Sequence, residues 1–185
     1  MYNQIERELK ILISEDQYKR ILHSYEFSEK FIQTNTFYDT PDRKVRAANG
    51  AMRIRKKDGK HIFTLKIRTD PITHIEYEKE IDVDRIQDIR DPEILGWLNK
   101  YGIPQDVEKI LSFTTERSVL ILENAEFCVD KTIFENYVDY ELEYEYTKEH
   151  DGITAFNAIL APYGLHYIKN NPGKFSRAMK LKLIK

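Results

Sequence analysis

Polar and apolar residues alternate at period two along most of this chain, the mark of strands with two unlike faces. The first such stretch runs from about Gln4 to Ile13, and the second from Phe31 to Tyr38, closed by Asp39-Thr40-Pro41-Asp42. Ala51–Lys57 and His61–Arg68 follow the Asn49-Gly50 turn and are joined at Asp58-Gly59, a hairpin signal. Alternation returns over Thr73–Val83, Ser112–Leu122, Ala125–Phe134 and Tyr137–Tyr146, and again in the tail from Ser176 to Ile184. Helical spacing is confined to the joints. Ser14 with Gln17 makes a capping box before Tyr18, Ile21 and Leu22, and Asp91-Pro92 starts a stripe of Ile94, Leu95 and Leu98 ending near Tyr101. A short helical stretch is predicted over Val107–Leu111. A third helix starts near Asp151, burying Ile153, Phe156, Ile159 and Leu160 and stopping at Pro162 and Gly164. Strands joined by short turns, with helices between some of them, predict an α+β fold built on an antiparallel sheet that closes into a barrel.

The polar positions are unusually charged. Glu6, Glu8 and Lys10 share one face of the first strand, about 7 Å apart in steps. Arg53 and Arg55 share another, as do Thr64, Lys66 and Arg68, then Glu76, Glu78 and Glu80, then Asp139, Glu141, Glu143 and Glu145. Like charges in rows repel, and packing alone gives no reason to align them. Two arrangements satisfy the pattern. In one, the charged faces meet water in salt-bridged rows around an apolar interior. In the other they turn inward, with the apolar faces covered by helices: acidic rows would then hold hard cations, and basic rows phosphate oxygens.

Composition narrows the chemistry. The 185 residues are 41% hydrophobic and 32% charged, enough for one domain over 1–185 with a substantial core. Lys+Arg 29 against Asp+Glu 31 leaves a net charge of −2, so neither nucleic acid nor a membrane surface is an expected partner. The single cysteine, Cys128, excludes an internal disulfide and a cysteine-based zinc site, and reads as a buried structural thiol. The five histidines show no ligand spacing. No signal-peptide pattern and no membrane-length apolar run is present, which makes the cytoplasm the expected compartment. No Walker-type glycine loop occurs, so a bound phosphate would be held by side chains.

Taken together the motifs resemble the triphosphate tunnel metalloenzymes, or CYTH superfamily, named for class IV adenylyl cyclases and thiamine triphosphatases and including inorganic triphosphatases. Glu6-x-Glu8-x-Lys10 resembles the family's opening motif, and Tyr38-Asp39-Thr40 the motif after its second strand. Arg53-x-Arg55, Thr64-Leu65-Lys66, Glu76-x-Glu78, Arg117, Asp130, Glu141-x-Glu143, Lys174 and Arg177 follow in family order across almost the whole chain.

The resemblance implies an eight-stranded antiparallel closed β-barrel, a tunnel with flanking helices, that uses Mg²⁺ or Mn²⁺ to hydrolyse a small anionic triphosphate. By that analogy Glu6, Glu8, Glu76, Glu78, Asp130, Glu141 and Glu143 are the metal set. Arg53, Arg55, Lys66, Arg117, Lys174 and Arg177 bind the substrate, and Glu6, Glu8, Lys10, Lys66 and Arg117 are the catalytic candidates. Asp39 also suits a structural Asx turn, and Asp130 a turn or bulge. Three positions depart from the family: Thr115 where many relatives are basic, His74 where many carry arginine, and Glu80, which leaves 76/78 or 78/80 as the working pair, the former preferred. A cyclase making cyclic AMP from ATP and a non-catalytic polyphosphate- or nucleotide-binding module stay open as alternatives, as does a homodimer.

Overall fold

The computed structural model describes residues 5–183 of the chain. Eight strands, β1 (Ile5–Ile13), β2 (Glu29–Asp39), β3 (Gly50–Lys57), β4 (Lys60–Arg68), β5 (Thr73–Ile81), β6 (Glu108–Ile121), β7 (Ala125–Ile133) and β8 (Val138–Tyr146), form a closed barrel in the order β1-β5-β4-β3-β2-β6-β7-β8. Every ladder is antiparallel. Closure leaves no free strand edge. β1 makes the seam, pairing with β5 through Ile5, Glu6 and Arg7 and with β8 from Glu8 to Ile13. At the β3–β4 hairpin Asp58 and Gly59 both take positive φ, 50° and 77°, as a turn matched to the strand twist requires.

Five helices flank the barrel: α1 (Glu15–Ser24), α2 (Lys44–Ala47), α3 (Pro92–Lys100), α4 (Gly152–Leu160) and α5 (Lys174–Leu183). The first four cover the outward apolar faces, while α5 packs on residues that line the interior. Met52, Ile54, Phe63, Leu65 and Tyr77 pack beneath Ile94 and Leu98 of α3. Leu9, Ile11, Phe127, Val129, Leu142 and Tyr144 pack beneath Ile21 of α1 and Phe156 and Leu160 of α4. Most hydrophobic burial therefore happens outside the sheet, which frees much of the interior for polar groups; a smaller apolar cluster of Phe37, Phe113, Phe175 and Ala178 lies where α5 meets inward-facing residues of the barrel. Ser14 caps α1 in the expected capping box, and Asp91 caps α3. Among the described residues, no helix is long and apolar enough to cross a membrane.

Four local expectations are corrected. Val107–Leu111 is not helical: β6 begins at Glu108, drawn into pairing by the length of β2, whose Tyr38 and Asp39 face Lys109 and Glu108 beyond a bulge. The tail from Ser176 is helix α5 rather than a strand, because the closed barrel offers no edge and Phe175 and Ala178, three apart, pack on Phe37 and Phe113. So short an apolar pattern fits both periods. Ile153 is 49% exposed, since α4 turns Gly152, Phe156 and Leu160 inward instead. Asp130 lies within a regular β7 ladder opposite Arg117 and Glu141, not in a turn or bulge. The predicted ends at Gln4 and Ile184 lie outside the described residues.

Candidate active site

Alternation on β1 sends Leu9 and Ile11 out to the helices and Glu6, Glu8 and Lys10 into a cavity of about 810 Å³ inside the barrel. Arg53 and Arg55 on β3, Thr64 and Lys66 on β4, His74, Glu76 and Glu78 on β5, and Thr115 and Arg117 on β6 line the same cavity. The charged rows therefore look inward.

The first cluster joins β1, β4 and β5. Lys66 ion-pairs with Glu6, and its Nζ lies 3.3 Å from Glu8 Oε1 and 3.6 Å from Glu76 Oε2. Lys10 Nζ donates to Glu8 Oε1 at 2.6 Å. Burial pushes the Glu6 carboxyl up to about 8, with Lys66 opposing and Glu76 and Glu8 reinforcing the rise. Burial acts the same way on Glu8, but there Lys66 and Lys10 outweigh it and hold the carboxyl at about 2. Glu76 is likewise lowered against its burial by Lys66, Arg53 and Arg55. Lys66 thus serves three carboxylates, and Glu6, which has no second cation beside it, is the one whose carboxyl is raised.

The second cluster joins β6, β7, β8 and α5. Arg117 grips Asp130 with two hydrogen bonds, Nε to Oδ1 at 2.8 Å and Nη2 to Oδ2 at 2.7 Å, and also binds Glu143. Lys174 reaches Asp130 Oδ2 at 2.8 Å and Glu143 Oε1 at 2.6 Å and pairs with Glu141. Arg177 donates to Asp139 Oδ2 and to Glu141 Oε2, both at 2.6 Å. Both oxygens of Asp130, Asp139, Glu141 and Glu143 are contacted by a cation. Against their burial, Arg117, Lys174 and Lys10 hold the Glu143 carboxyl well below the usual range. Burial raises Glu141 despite Lys174 and Arg177.

Between the clusters stand the two β3 arginines. Arg55 donates from Nε to Asn35 Oδ1 at 3.2 Å and lies 3.7 Å from Glu78 Oε2, which also accepts from Thr64 Oγ1 at 3.1 Å. Burial and then the neighbouring Arg53 charge lower the Arg55 guanidinium to about 10. Arg53 forms no hydrogen bond or ion pair with any described residue, and its Nε is buried without a partner.

The structure brings Glu6, Glu8, Lys10, Lys66 and Glu76 into one constellation and Arg117, Asp130, Glu141, Glu143, Lys174 and Arg177 into another, with Glu78 beside Arg55. Glu80 pairs instead with Lys60 at 2.9 Å in an exposed position. Thr115 is buried, its hydroxyl 3.4 Å from that of Thr132. Asp39 accepts from the Thr40, Val45 and Arg46 amides and so fixes α2. Cys128 is buried, and burial pushes its thiol far up.

Two residues named from the sequence but given no role in the site line the cavity. His74 is buried in the cavity, its Nδ1 3.9 Å from Glu8 Oε1, and burial together with Lys66 lowers its imidazole to about 4. Glu145 lies opposite Glu8 on β1 and Glu126 on β7, and burial lifts its carboxyl to about 7. Both share the parity of recognised residues on their strands, Glu76 and Glu143, and that parity was the available signal.

Ligand atoms of Glu6, Glu8 and His74, and of Asp130, Glu141 and Glu143, approach within 4.8 Å of one another in each group. Carboxylate oxygens suit Mg²⁺ and Mn²⁺. The first group fits such an ion better, because Glu76 Oε2 and His74 Nδ1 beside it are buried without hydrogen-bond partners.

A family model described as the CYTH domain matches residues 4–171. The chain is 28% identical over 170 residues to the Bacillus subtilis (strain 168) protein named "Putative triphosphatase YjbK", covering 89% of this chain and 90% of that protein. A crystal structure from Bacillus halodurans, described as a "putative adenylate cyclase", superposes with a TM-score of 0.81 at 26% identity over 94% of this chain and 97% of its own. A Hippeastrum structure, described as "putative adenylyl cyclase HpAC1" with a dominant triphosphatase activity, shares the fold, with a TM-score of 0.75 at 21% identity over 95% of each chain.

Proposed function

This chain belongs to the CYTH domain family, and on that premise we propose that it is a metal-dependent hydrolase of a small triphosphate, inorganic tripolyphosphate or a triphosphorylated small molecule. The observation that carries the reading is Arg53. A guanidinium with a buried, unpartnered Nε, inside a barrel where carboxylates are plentiful, is a seat left for an anion brought from outside.

On this reading Arg53 and Arg55 take the phosphate oxygens in forked contacts, and Lys66 and Arg117 add positive charge across the cavity. Lys174 and Arg177 reach the same substrate from α5, and their move toward phosphate loosens their hold on Glu141 and Glu143. Glu6 and Glu8, with Glu76 and Glu78 alongside, would hold the divalent ion; Asp130, Glu141 and Glu143 would accept one only as their lysine and arginine partners turned to phosphate. Bound there, the ion would offset phosphate charge and lower the pKa of water. The carboxylates orient a water in line with the terminal phosphorus and take its proton. The phosphorus–bridging-oxygen bond breaks, and orthophosphate leaves with the remaining diphosphate held by the arginines. Lys10 keeps Glu8 ionised for this work.

Phosphate release from tripolyphosphate, ATP and thiamine triphosphate with Mg²⁺ or Mn²⁺ tests the proposal. Orthophosphate from at least one substrate, abolished by chelation, supports it; no release from any of them ends it. The likeness to the Bacillus halodurans structure keeps a cyclase reading in view. Cyclic AMP with pyrophosphate, in place of orthophosphate, would mark that activity. Binding of triphosphate and metal without turnover would mark a capture module, the reading that the uncharged, buried Thr115 favours.

A further inference from the structure

We propose that His74 is a nitrogen ligand to the divalent ion held by Glu6 and Glu8, and that it shifts metal preference from Mg²⁺ toward Mn²⁺ and its first-row neighbours. The inference rests on the metal site proposed above and specifies its donor set.

His74 is the register partner of Glu6 across the β1–β5 seam, so the two side chains enter the barrel side by side. The residue is 7% exposed, and its Nδ1 is buried with no hydrogen-bond partner. The Glu8 oxygen 3.9 Å away is beyond hydrogen-bonding distance. Leaving a buried polar nitrogen unpaired is costly, and native interiors seldom do so without a reason. An ion at the focus of Glu6, Glu8 and His74, whose ligand atoms lie within 4.8 Å of one another, removes that cost. The neighbouring cations cannot play this part: Lys66 and Lys10 bring donors to carboxylates, whereas an imidazole nitrogen can bring a lone pair to a metal.

A mixed oxygen and nitrogen donor set has a consequence for selectivity. Mg²⁺ holds to hard oxygen ligands and octahedral geometry, while Mn²⁺ and the ions after it accept imidazole with rising affinity. Glu6 and Glu8 alone would favour neither strongly; His74 tips the balance.

The test is Mn²⁺ binding to metal-stripped full-length protein, followed by electron paramagnetic resonance, with competing Mg²⁺. The wild type is expected to show nitrogen modulation in the pulsed spectrum of bound Mn²⁺. His74→Gln should lose the modulation and weaken Mn²⁺ roughly tenfold or more, with Mg²⁺ affinity changed far less. Mn²⁺ that binds the wild type without nitrogen modulation, yet is lost in Glu8→Gln, overturns the role of His74 and leaves the carboxylate site standing. An unchanged Mn²⁺ to Mg²⁺ preference in His74→Gln also overturns it. Mn²⁺ binding that is absent, or indifferent to Glu8→Gln, overturns the underlying site as well. Should His74→Gln fail to fold, the wild-type spectrum alone decides.

Discussion

The barrel holds two acidic clusters of similar composition and opposite condition. Around Asp130, Glu141 and Glu143, together with Asp139, both oxygens of every carboxylate meet an arginine or lysine, and α5 supplies two of those three cations. Around Glu6, Glu8 and Glu76, Lys66 is divided among three acids and Lys10 serves Glu8 alone. One set of acids has its cations supplied by the fold; on the proposed reading, the other leaves room for a charge from outside. A saturated network of this kind is costly to interrupt, whereas an under-served one gains from an added cation.

The largest effect is expected where a cation is removed from the saturated side. Arg117→Ala leaves Asp130 and Glu143 buried with only Lys174 between them, and should cost about 3–5 kcal/mol, or roughly 10 °C in Tm. Thermal unfolding followed by circular dichroism reads this, and a shift of a degree or two would mean the network is far looser than its geometry. Arg53→Ala is the counterpart: with no partner to lose, it should unfold near the wild-type temperature yet drop kcat/KM for triphosphate by about 10²–10³. Loss of stability without loss of turnover would reverse the roles assigned to the two arginines. The next effect comes from the metal. Mn²⁺ at about a hundred times its Kd should stabilise the wild type by roughly 2.7 kcal/mol. Denaturant melts with and without the ion should show that gain largely gone in Glu8→Gln and kept in Asp139→Asn.

Much of this contrast was legible in the sequence, and some was not. The inward parity of Glu6, Glu8, Arg53, Arg55, Lys66, Glu141 and Glu143 follows from period-two alternation once the barrel is known to be inverted. Alternation alone does not say which face is inside, and the covering of Phe63 and Leu65 by α3, far along the chain, is what settles it. Helix α5 is not legible locally, because Ser176–Ile184 is too short to separate periods of two and 3.6, and its helical form depends on docking Phe175 against Phe37. His74 stands out in the sequence as a departure from the family, but its place beside the acids does not: a histidine's use is set by who faces it, and Glu6 and Glu8 face it from another strand. Cation supply, the property that separates the two clusters, depends on Lys174 and Arg177 folding back from α5, which no local pattern announces.

Smaller effects sharpen the boundary. Phe175→Ala removes the ring stacked on Phe37 at 4.7 Å and should cost about 1–2 kcal/mol, seen first as faster amide hydrogen exchange along α5. Unchanged exchange there would show that Lys174 and Arg177 alone seat the helix. Least of all, Glu80→Gln should leave phosphate release within about twofold of wild type, because Glu80 is spent on an exposed pair with Lys60. Glu76→Gln should lower it at least roughly tenfold. Equal losses in the two variants would move the working acidic pair to 78/80.

Anomalous diffraction from crystals soaked with Mn²⁺ and tripolyphosphate reads directly where an ion and a triphosphate settle. The expected map has manganese within ligand distance of Glu6 and Glu8, with phosphate oxygens on Arg53 and Arg55. Manganese away from both glutamates, or a triphosphate lying outside the barrel, would contradict it.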